Sequence, residues 1–217
     1  MNMRETVLAR ITAALADVPA DETPDSHPVP RGYRMSHAGS DAVAQFMERV
    51  ADHQATVVRT TEEKVARTAA VALAQRGTRR LVVPAGFPPS MLPQGAWTRL
   101  GDIPRLSAES LNTADTVLTT AAVGIAVTGT IVLDTGPGQG RRVLTLLPDH
   151  HLCVLREEQI AGDVPEALAR LDPTAPLTFV SGPSATSDIE LDRVEGVHGP
   201  RTLDVIVVVA PSTEAPS

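Results

Sequence analysis

The feature that most constrains the fold is a repeated switch between two hydrophobic periods after residue 55. Runs rich in β-branched residues alternate with segments whose apolar residues recur every three or four positions. The first such unit comprises residues 55–59, a helical stretch that ends at Gly77, and residues 79–86. This order is typical of βαβ units, which form parallel sheets covered by helices. The sequence therefore predicts an α/β protein, with a three-layer α/β/α fold and a mostly parallel sheet.

Later runs extend the pattern to six or seven strands. The further predicted strands are residues 116–120, 130–135, 151–155, 177–182 and 203–210. Thr60 and Glu63 have the spacing of a capping box, which predicts the start of the first helix of this region. Ser40 is the predicted N-cap of the helix before it.

The two ends of the chain differ from this region. Residues 1–36 are predicted to form an N-terminal helix, over residues 3–17, and a linker rich in proline. Residues 37–210 are predicted to form the α/β domain. The last residues, 211–217, read PSTEAPS and are predicted to be disordered.

Composition argues against several classes of function. The net charge is −7, and no basic cluster exceeds an adjacent arginine pair, so nucleic acid is not an expected partner. No segment approaches the roughly 18 apolar residues of a membrane span, so we expect a cytoplasmic protein. Cys153 is the only cysteine, which excludes an internal disulfide or an all-cysteine iron–sulfur or zinc site. Its apolar neighbours indicate a buried structural thiol.

Residues 135–142, TGPGQGRR, form a glycine-rich segment after a predicted strand. Its third glycine comes one position too early for the dinucleotide-binding fingerprint, and no Lys-Ser/Thr pair follows as in a P-loop. A flexible surface loop is therefore the favoured interpretation. Arg141 and Arg142 remain candidates for binding a nearby anion.

His150 and His151 suggest a metal site, but successive side chains of a strand point to opposite faces of the sheet. Both residues cannot then easily bind one ion. A site built from His150 or His198 with distant side chains stays open, beside a purely structural role. We predict no metal, and we place His150 among the substrate-binding candidates.

Residues 181–190, SGPSATSDIE, follow a predicted strand. Ser187 and Glu190 have capping-box spacing, which indicates a polar turn that begins a helix. The remaining hydroxyls and Gly182 also suit an anion, because open α/β sheets bind ligands beyond the carboxyl ends of their strands. The turn GVHGP that follows could present His198 as an acid, a base or a ligand, or His198 could simply bond a loop carbonyl.

Three stretches occur in the order GIAVTGTIVLDTG, LLPDHHLCVL and SGPSATSDIELDRVEGVHGPRTLDVIVV. Together they resemble the LUD-domain family. The resemblance implies a fold similar to the ribose-5-phosphate isomerase and coenzyme A transferase group. It also implies a place in a bacterial system that oxidises L-lactate to pyruvate. In that system two partner proteins carry the iron–sulfur clusters, and this chain carries no cofactor.

The resemblance and the residue chemistry together suggest candidate site residues. The predicted catalytic residues are Asp188, Glu190 and His198. The predicted substrate-binding residues are Thr128, Gly129, Thr130, Ser181, Gly182, Pro183, Ser184, Thr186, Arg141, Arg142 and His150. One departure matters: family members usually have an arginine where this chain has Ala185.

Two functions follow as hypotheses. The first is a subunit without clusters that binds a small carboxylate or organises the iron–sulfur partners. The second is an independent enzyme or binding protein for a phosphorylated or coenzyme A-linked small molecule on the same fold. No self-sufficient catalytic motif decides whether the chain is itself an enzyme, because function depends on the site and not on the fold.

Overall fold

The computed structural model describes residues 2–19, 21–23, 29–30, 32, 36–186, 194–195 and 199–209. The chain divides into two compact units, Met1–Arg34 and Met35–Ser217. The first unit contains helix α1 (Met3–Ala14), which begins with a capping box. The Glu5 amide donates to the Asn2 side chain, and the Asn2 amide donates to the Glu5 carboxylate, both at 2.9 Å. The predicted disordered tail lies outside the described residues.

The second unit is built on a six-stranded sheet in which every neighbouring pair is parallel. In spatial order its strands are β1 (Thr56–Thr61), β12 (Thr202–Val209), β7 (His150–Arg156), β4 (Thr116–Thr120), β2 (Arg80–Val82) and β3 (Thr98–Leu100). The central strands β4 and β7 are almost wholly buried, as expected for runs that are apolar on both faces. The predicted parallel sheet is confirmed.

A second, four-stranded sheet was not predicted from the sequence. In spatial order it contains β8 (Ile160–Ala161), β5 (Val123–Ile125), β6 (Thr130–Leu133) and β9 (Thr178–Val180). Strand β6 pairs antiparallel with both β5 and β9. The predicted strands at residues 130–135 and 177–182 therefore belong to this smaller sheet. Strands β5 and β8 have only three and two residues, too few to show a strand period.

Helices and the second sheet cover the two faces of the large sheet. Helix α3 (Val65–Gln75) covers one face, to which it contributes buried residues spaced four apart. The other face packs against α2 (Ala42–Asp52), α4 (Ala108–Asn112) and strand β6 of the small sheet. Helix α5 (Val164–Ala169) packs against the small sheet. The three-layer arrangement is confirmed.

The helix ends partly match their predicted signals. The N-cap of α2 is Asp41, whose side chain accepts from the Ala44 amide at 2.9 Å, and not Ser40. The predicted capping box at Thr60 is wrong, because β1 continues through Thr61 and a 3-10 turn precedes α3. Gly77 ends α3 as predicted, with a φ of 67° that suits glycine.

Beyond β9, the chain forms a short antiparallel pair between β10 (Ala185–Thr186) and β11 (Val194–Glu195). The predicted helix start at Ser187 and Glu190 lies outside the described residues. In the part of the chain that is described, no helix is both long and apolar enough to cross a membrane.

Candidate functional site

A polar cleft of about 280 Å³ lies where β9 ends and where β7 and β12 begin. We call it the Ser181 cleft. It is lined by Arg142, Thr145, Leu146, His151, Thr178, Phe179, Val180, Ser181, Gly182, Pro183, Ser184, Gly199, Pro200 and Leu203. The segment after β9 thus forms one wall, as the sequence suggests. The cleft is at the carboxyl end of β9 but at the amino ends of the large sheet's strands, which differs from the expected position.

Hydroxyl groups from the start of β6 and from the residue after β9 meet beside this wall. Thr128 and Thr130 have their side-chain oxygens 2.7 Å apart, and the Thr130 oxygen is 2.7 Å from that of Ser181. Three hydroxyls in sequence can reverse their donor directions together, because each is both a donor and an acceptor. This chain of hydroxyls therefore holds Ser181 against β6 and can adapt to a ligand of either polarity.

Two glycines allow this arrangement through close backbone contact. A Cβ on Gly129 would lie 2.7 Å from the Arg49 carbonyl carbon, and a Cβ on Gly182 would lie 2.7 Å from the His53 carbonyl oxygen. Both glycines have positive φ, of 58° and 82°. The His53 ring, at the end of α2, also has Nε2 3.1 Å from the Thr128 carbonyl oxygen. Both glycines thus position the wall against α2; Gly182 also lines the cleft, whereas Gly129 does not.

The histidine that lines the cleft is His151. Its side chain is 1% exposed, and Nε2 is 2.8 Å from the Thr119 hydroxyl. Burial, and secondarily the neighbouring His150, lowers the pKa of His151 to about 3. The ring is therefore neutral at physiological pH and offers the cleft a polar surface without charge. The sequence could not show which of the two histidines faces this side, because that depends on which sheet face the second sheet covers.

His150 points to the opposite face of the sheet and does not line the Ser181 cleft. Its Nδ1 is 3.0 Å from the Thr116 hydroxyl, and its Nε2 is 3.1 Å from a carboxylate oxygen of Asp204. Asp204 also accepts two hydrogen bonds from Arg76, at 2.7 and 3.2 Å. His150 is thus part of a buried structural network and not of the candidate substrate site.

The charges in this network control the pKa of Asp204. Burial acts to raise that pKa, but the close contact with His150 and the hydrogen bonds from Arg76 outweigh it and hold the pKa well below its usual range. Asp204 is only 6% exposed, so its negative charge depends on these partners.

The two candidate arginines have different surroundings. Arg141 donates two hydrogen bonds to Asp102, at 2.7 and 2.9 Å, and one to the Leu106 carbonyl at 2.7 Å. Three of its five N–H donors are thus engaged by structural partners, and Arg141 does not line the cleft. Arg142 does line it, and its guanidinium has no ion pair among the described residues. Arg142 is thus the charged group that the described part of the chain contributes to the cleft.

The glycine-rich loop, predicted to be a flexible surface loop, is hydrogen-bonded to neighbouring backbone at Gly138. The Gly138 amide donates to the Ala85 carbonyl at 2.9 Å, and the Thr120 amide donates to the Gly138 carbonyl at 3.0 Å. The loop therefore joins the chain after β2 to the end of β4. In this sheet β2 leads outward to β3 and β4 leads the other way to β7, so the loop occupies the switch point where open sheets usually bind ligands.

The remaining candidates can be located only in part. Asp188, Glu190 and His198, predicted as catalytic, lie outside the described residues. Thr186 belongs to β10. Pro183 and Ser184 line the cleft, and the Ser184 amide donates to the Pro200 carbonyl at 2.8 Å. No three His, Cys, Asp or Glu side chains of the described segments are grouped so that they could hold a metal ion.

Cys153, predicted to be a buried structural thiol, is buried on the same face of the large sheet as His151. Burial raises the pKa of its thiol to about 12, against a smaller opposing effect of Thr119. The thiol therefore stays protonated, and a protonated thiol is a poor nucleophile.

The fold and the cleft define a two-sheet α/β protein with a polar site where the sheets meet. Residues 105–208 match the LUD domain family. Over 206 residues, 93% of each chain, the sequence is 45% identical to Lactate utilization protein C of Deinococcus radiodurans. The chain therefore belongs to the LUD domain family.

Other relatives agree with this assignment. Lactate utilization protein C of Halalkalibacterium halodurans is 34% identical over 108 residues, which is 46% of each chain. Among solved structures, a DUF162 family protein from Deinococcus radiodurans superposes with a TM-score of 0.67 at 41% identity. The match covers 78% of this chain and 96% of that one.

Proposed function

We propose that the chain is a subunit without clusters of a bacterial system that oxidises L-lactate to pyruvate, and that its Ser181 cleft binds a small carboxylate. The 45% identity to Lactate utilization protein C over nearly the whole chain carries the first part. The iron–sulfur clusters then belong to partner proteins, since one buried cysteine cannot hold one here. The charge and size of the Ser181 cleft support the second part, which is the binding of a small carboxylate.

Charge and size favour a small anion in the cleft. Arg142 brings a positive charge in a chain whose net charge is −7, and the neutral His151 does not oppose it. Hydroxyls of Ser181 and Thr178 surround the same space. A volume of about 280 Å³ is below the usual range for drug-sized ligands, so coenzyme A is too large for it. A two-oxygen carboxylate matches the fork of an arginine.

The alternative of a phosphorylated or coenzyme A-linked substrate loses its main support. That hypothesis relied on the glycine-rich loop and on Arg141. The loop's backbone is engaged by β4 and by the chain after β2, and Arg141 is engaged by Asp102. The carboxylate hypothesis relies instead on Arg142, whose guanidinium has no ion pair among the described residues.

Growth provides the test of the system. Deleting the gene is expected to abolish growth on L-lactate while growth on pyruvate continues, because pyruvate enters after the proposed oxidation. A plasmid copy of the wild-type gene should restore growth on L-lactate. Unimpaired growth on L-lactate, in a strain without a second copy of the gene, would contradict the proposal.

Ligand-induced stabilisation provides the test of the cleft. L-lactate or pyruvate at about 100 times its Kd is expected to stabilise the protein by about 2.7 kcal/mol, measured as a shift in thermal unfolding. Arg142→Gln should weaken binding by about tenfold or more, because a charge-assisted hydrogen bond is lost. The matched control is Arg79→Gln, an exposed arginine that does not line the cleft. Equal binding by both variants would sink the assignment of Arg142.

A further inference from the structure

A larger cavity, of about 740 Å³, lies between helix α3 and the strands at the β1 edge of the large sheet. We call it the α3 groove. It is lined by Thr56, Val58, Lys64, Arg67, Thr68, Val71, Ala72, Gln75, Arg76, Leu152, Asp204, Val205 and Ile206. The β7 residue Leu152 lines this groove, whereas its neighbour His151 lines the Ser181 cleft. The two sites therefore lie on opposite faces of one sheet.

The floor of the α3 groove is apolar and deep. Leu152 and Ile206, from the inner strands β7 and β12, are at most 2% exposed yet line the cavity. Val58 and Val71 form the upper walls and are 42% and 51% exposed. Because the floor reaches the third strand from the edge, the groove is a pocket for a compact apolar group. A peptide strand added to β1 would cover only its outer rim.

Two cationic side chains, Lys64 and Arg67, line the groove near the start of α3. Lys64, directly before α3, and Arg67, Val71 and Gln75 on α3 are spaced three or four apart, and all four line the groove. Lys64 is the only lysine in the chain. Within the described segments neither Lys64 nor Arg67 has a carboxylate partner, although acids outnumber bases by 26 to 19. The other end is different, because Arg76 is neutralised there by Asp204.

We propose that the α3 groove binds an organic anion that has an apolar body, such as an acyl chain ending in a carboxylate or a phosphate. The head group pairs with Lys64 and Arg67, and the body covers Val58 and Val71 above Leu152. The volume is within the range of small-molecule sites. Helix α3, from Val65 to Gln75, rises about 15 Å, which sets the approximate length of the ligand that can lie along it.

The experiment measures binding to the full chain by titration calorimetry. Octanoate and octyl phosphate supply both features, acetate and inorganic phosphate supply the charge alone, and octanol supplies the apolar body alone. Octanoate or octyl phosphate is expected to bind about tenfold or more tightly than any of the three controls. The better of the two shows whether the head is a carboxylate or a phosphate.

Two variants separate the contributions of head and body. Lys64→Gln combined with Arg67→Gln should weaken binding by about tenfold or more while thermal stability is retained, because both side chains are exposed. Val71→Glu should block the apolar wall and also abolish binding. Arg79→Gln is the control for loss of an exposed charge, and Arg142→Gln should bind normally. This last result distinguishes failure of the groove from failure of the Ser181 cleft.

The single lysine offers a second readout. Acetylation of Lys64, followed by mass spectrometry, reports one side-chain amine in the whole chain. Octanoate or octyl phosphate at saturating concentration should slow that acetylation, while acetate and octanol should leave its rate unchanged. Binding of octanol as tight as that of octanoate would overturn the proposal. So would unchanged binding by the Lys64 and Arg67 double variant, or the absence of binding by both amphipathic anions.

Discussion

Gly129→Ala is expected to lower the free energy of unfolding by about 3 kcal/mol, the first of two large effects that the structure implies. The new Cβ would lie 2.7 Å from backbone and side-chain carbon atoms of Arg49, in the last turn of α2, where the next residue, Val50, is buried in the core. A positive φ of 58° adds the conformational penalty of any L-residue. Chemical denaturation of the wild type and the variant measures the loss.

Two other glycines separate the steric penalty from the conformational one. Gly77 has a φ of 67° but open space around it, so Gly77→Ala should cost only about 1 kcal/mol. Gly101 has open space and no positive φ, so Gly101→Ala should change stability by less than about 0.5 kcal/mol. If Gly129→Ala costs no more than Gly77→Ala, the close contact with α2 does not hold in solution.

The same substitution tests the link between packing and site. Gly129 lies between Thr128 and Thr130, whose hydroxyls lead to Ser181. A shift of this loop away from α2 would move Ser181, since these contacts are only 2.7 Å long. We therefore expect Gly129→Ala to weaken carboxylate binding in the Ser181 cleft as well as stability.

Asp204→Asn is expected to destabilise the protein by about 3 kcal/mol at neutral pH, the second large effect. The substitution keeps the shape of the side chain but removes the charge that pairs with Arg76 and contacts His150. Asp204 is 6% exposed, so water cannot replace the lost interactions. Asp149→Asn is the matched control: its side chain is 75% exposed and 3.6 Å from Arg201, and such surface pairs contribute less than about 1 kcal/mol.

The effect of Asp204 should depend on pH with a defined sign. Its pKa is lower in the folded state than the value of about 3.9 in an unfolded chain. Its contribution is therefore complete above that value and is lost as the pH falls toward the folded pKa. The gap in unfolding free energy between wild type and Asp204→Asn should be constant near neutral pH and shrink below about pH 4. A gap that stays constant through the acid range would contradict this account.

The large sheet was predictable because its signals are local. The runs at 116–120 and 151–155 are apolar on both faces, a pattern expected of a strand that is covered on both sides. Gly77 is likewise a local stop signal, confirmed by its positive φ. The small sheet left no comparable signal, because β5 and β8 have only three and two residues, too few for a repeated alternation. Their pairing with β6 depends on contacts far apart in sequence.

The candidate site shows the same division. Residues 181–184 could be recognised because hydroxyls and a glycine follow a strand, and they do line a cleft. The alternation of a strand separates His150 from His151, but it does not say which one faces the cleft. Arg141 and Arg142 are equivalent in sequence, yet Asp102 lies within reach of only the first.

By itself the sequence determined the class of fold, the alternation of β-rich runs with helices that gives a parallel sheet, and the polar character of the segment after β9. These follow from hydrophobic periods and turn residues, which act over a few positions. Only the tertiary structure decided that His151 and Arg142 share the Ser181 cleft, that the glycine-rich loop occupies the switch point, and that Lys64 and Arg67 border an apolar groove. Each of those facts depends on which residues distant in sequence become neighbours when the two sheets and α3 pack together.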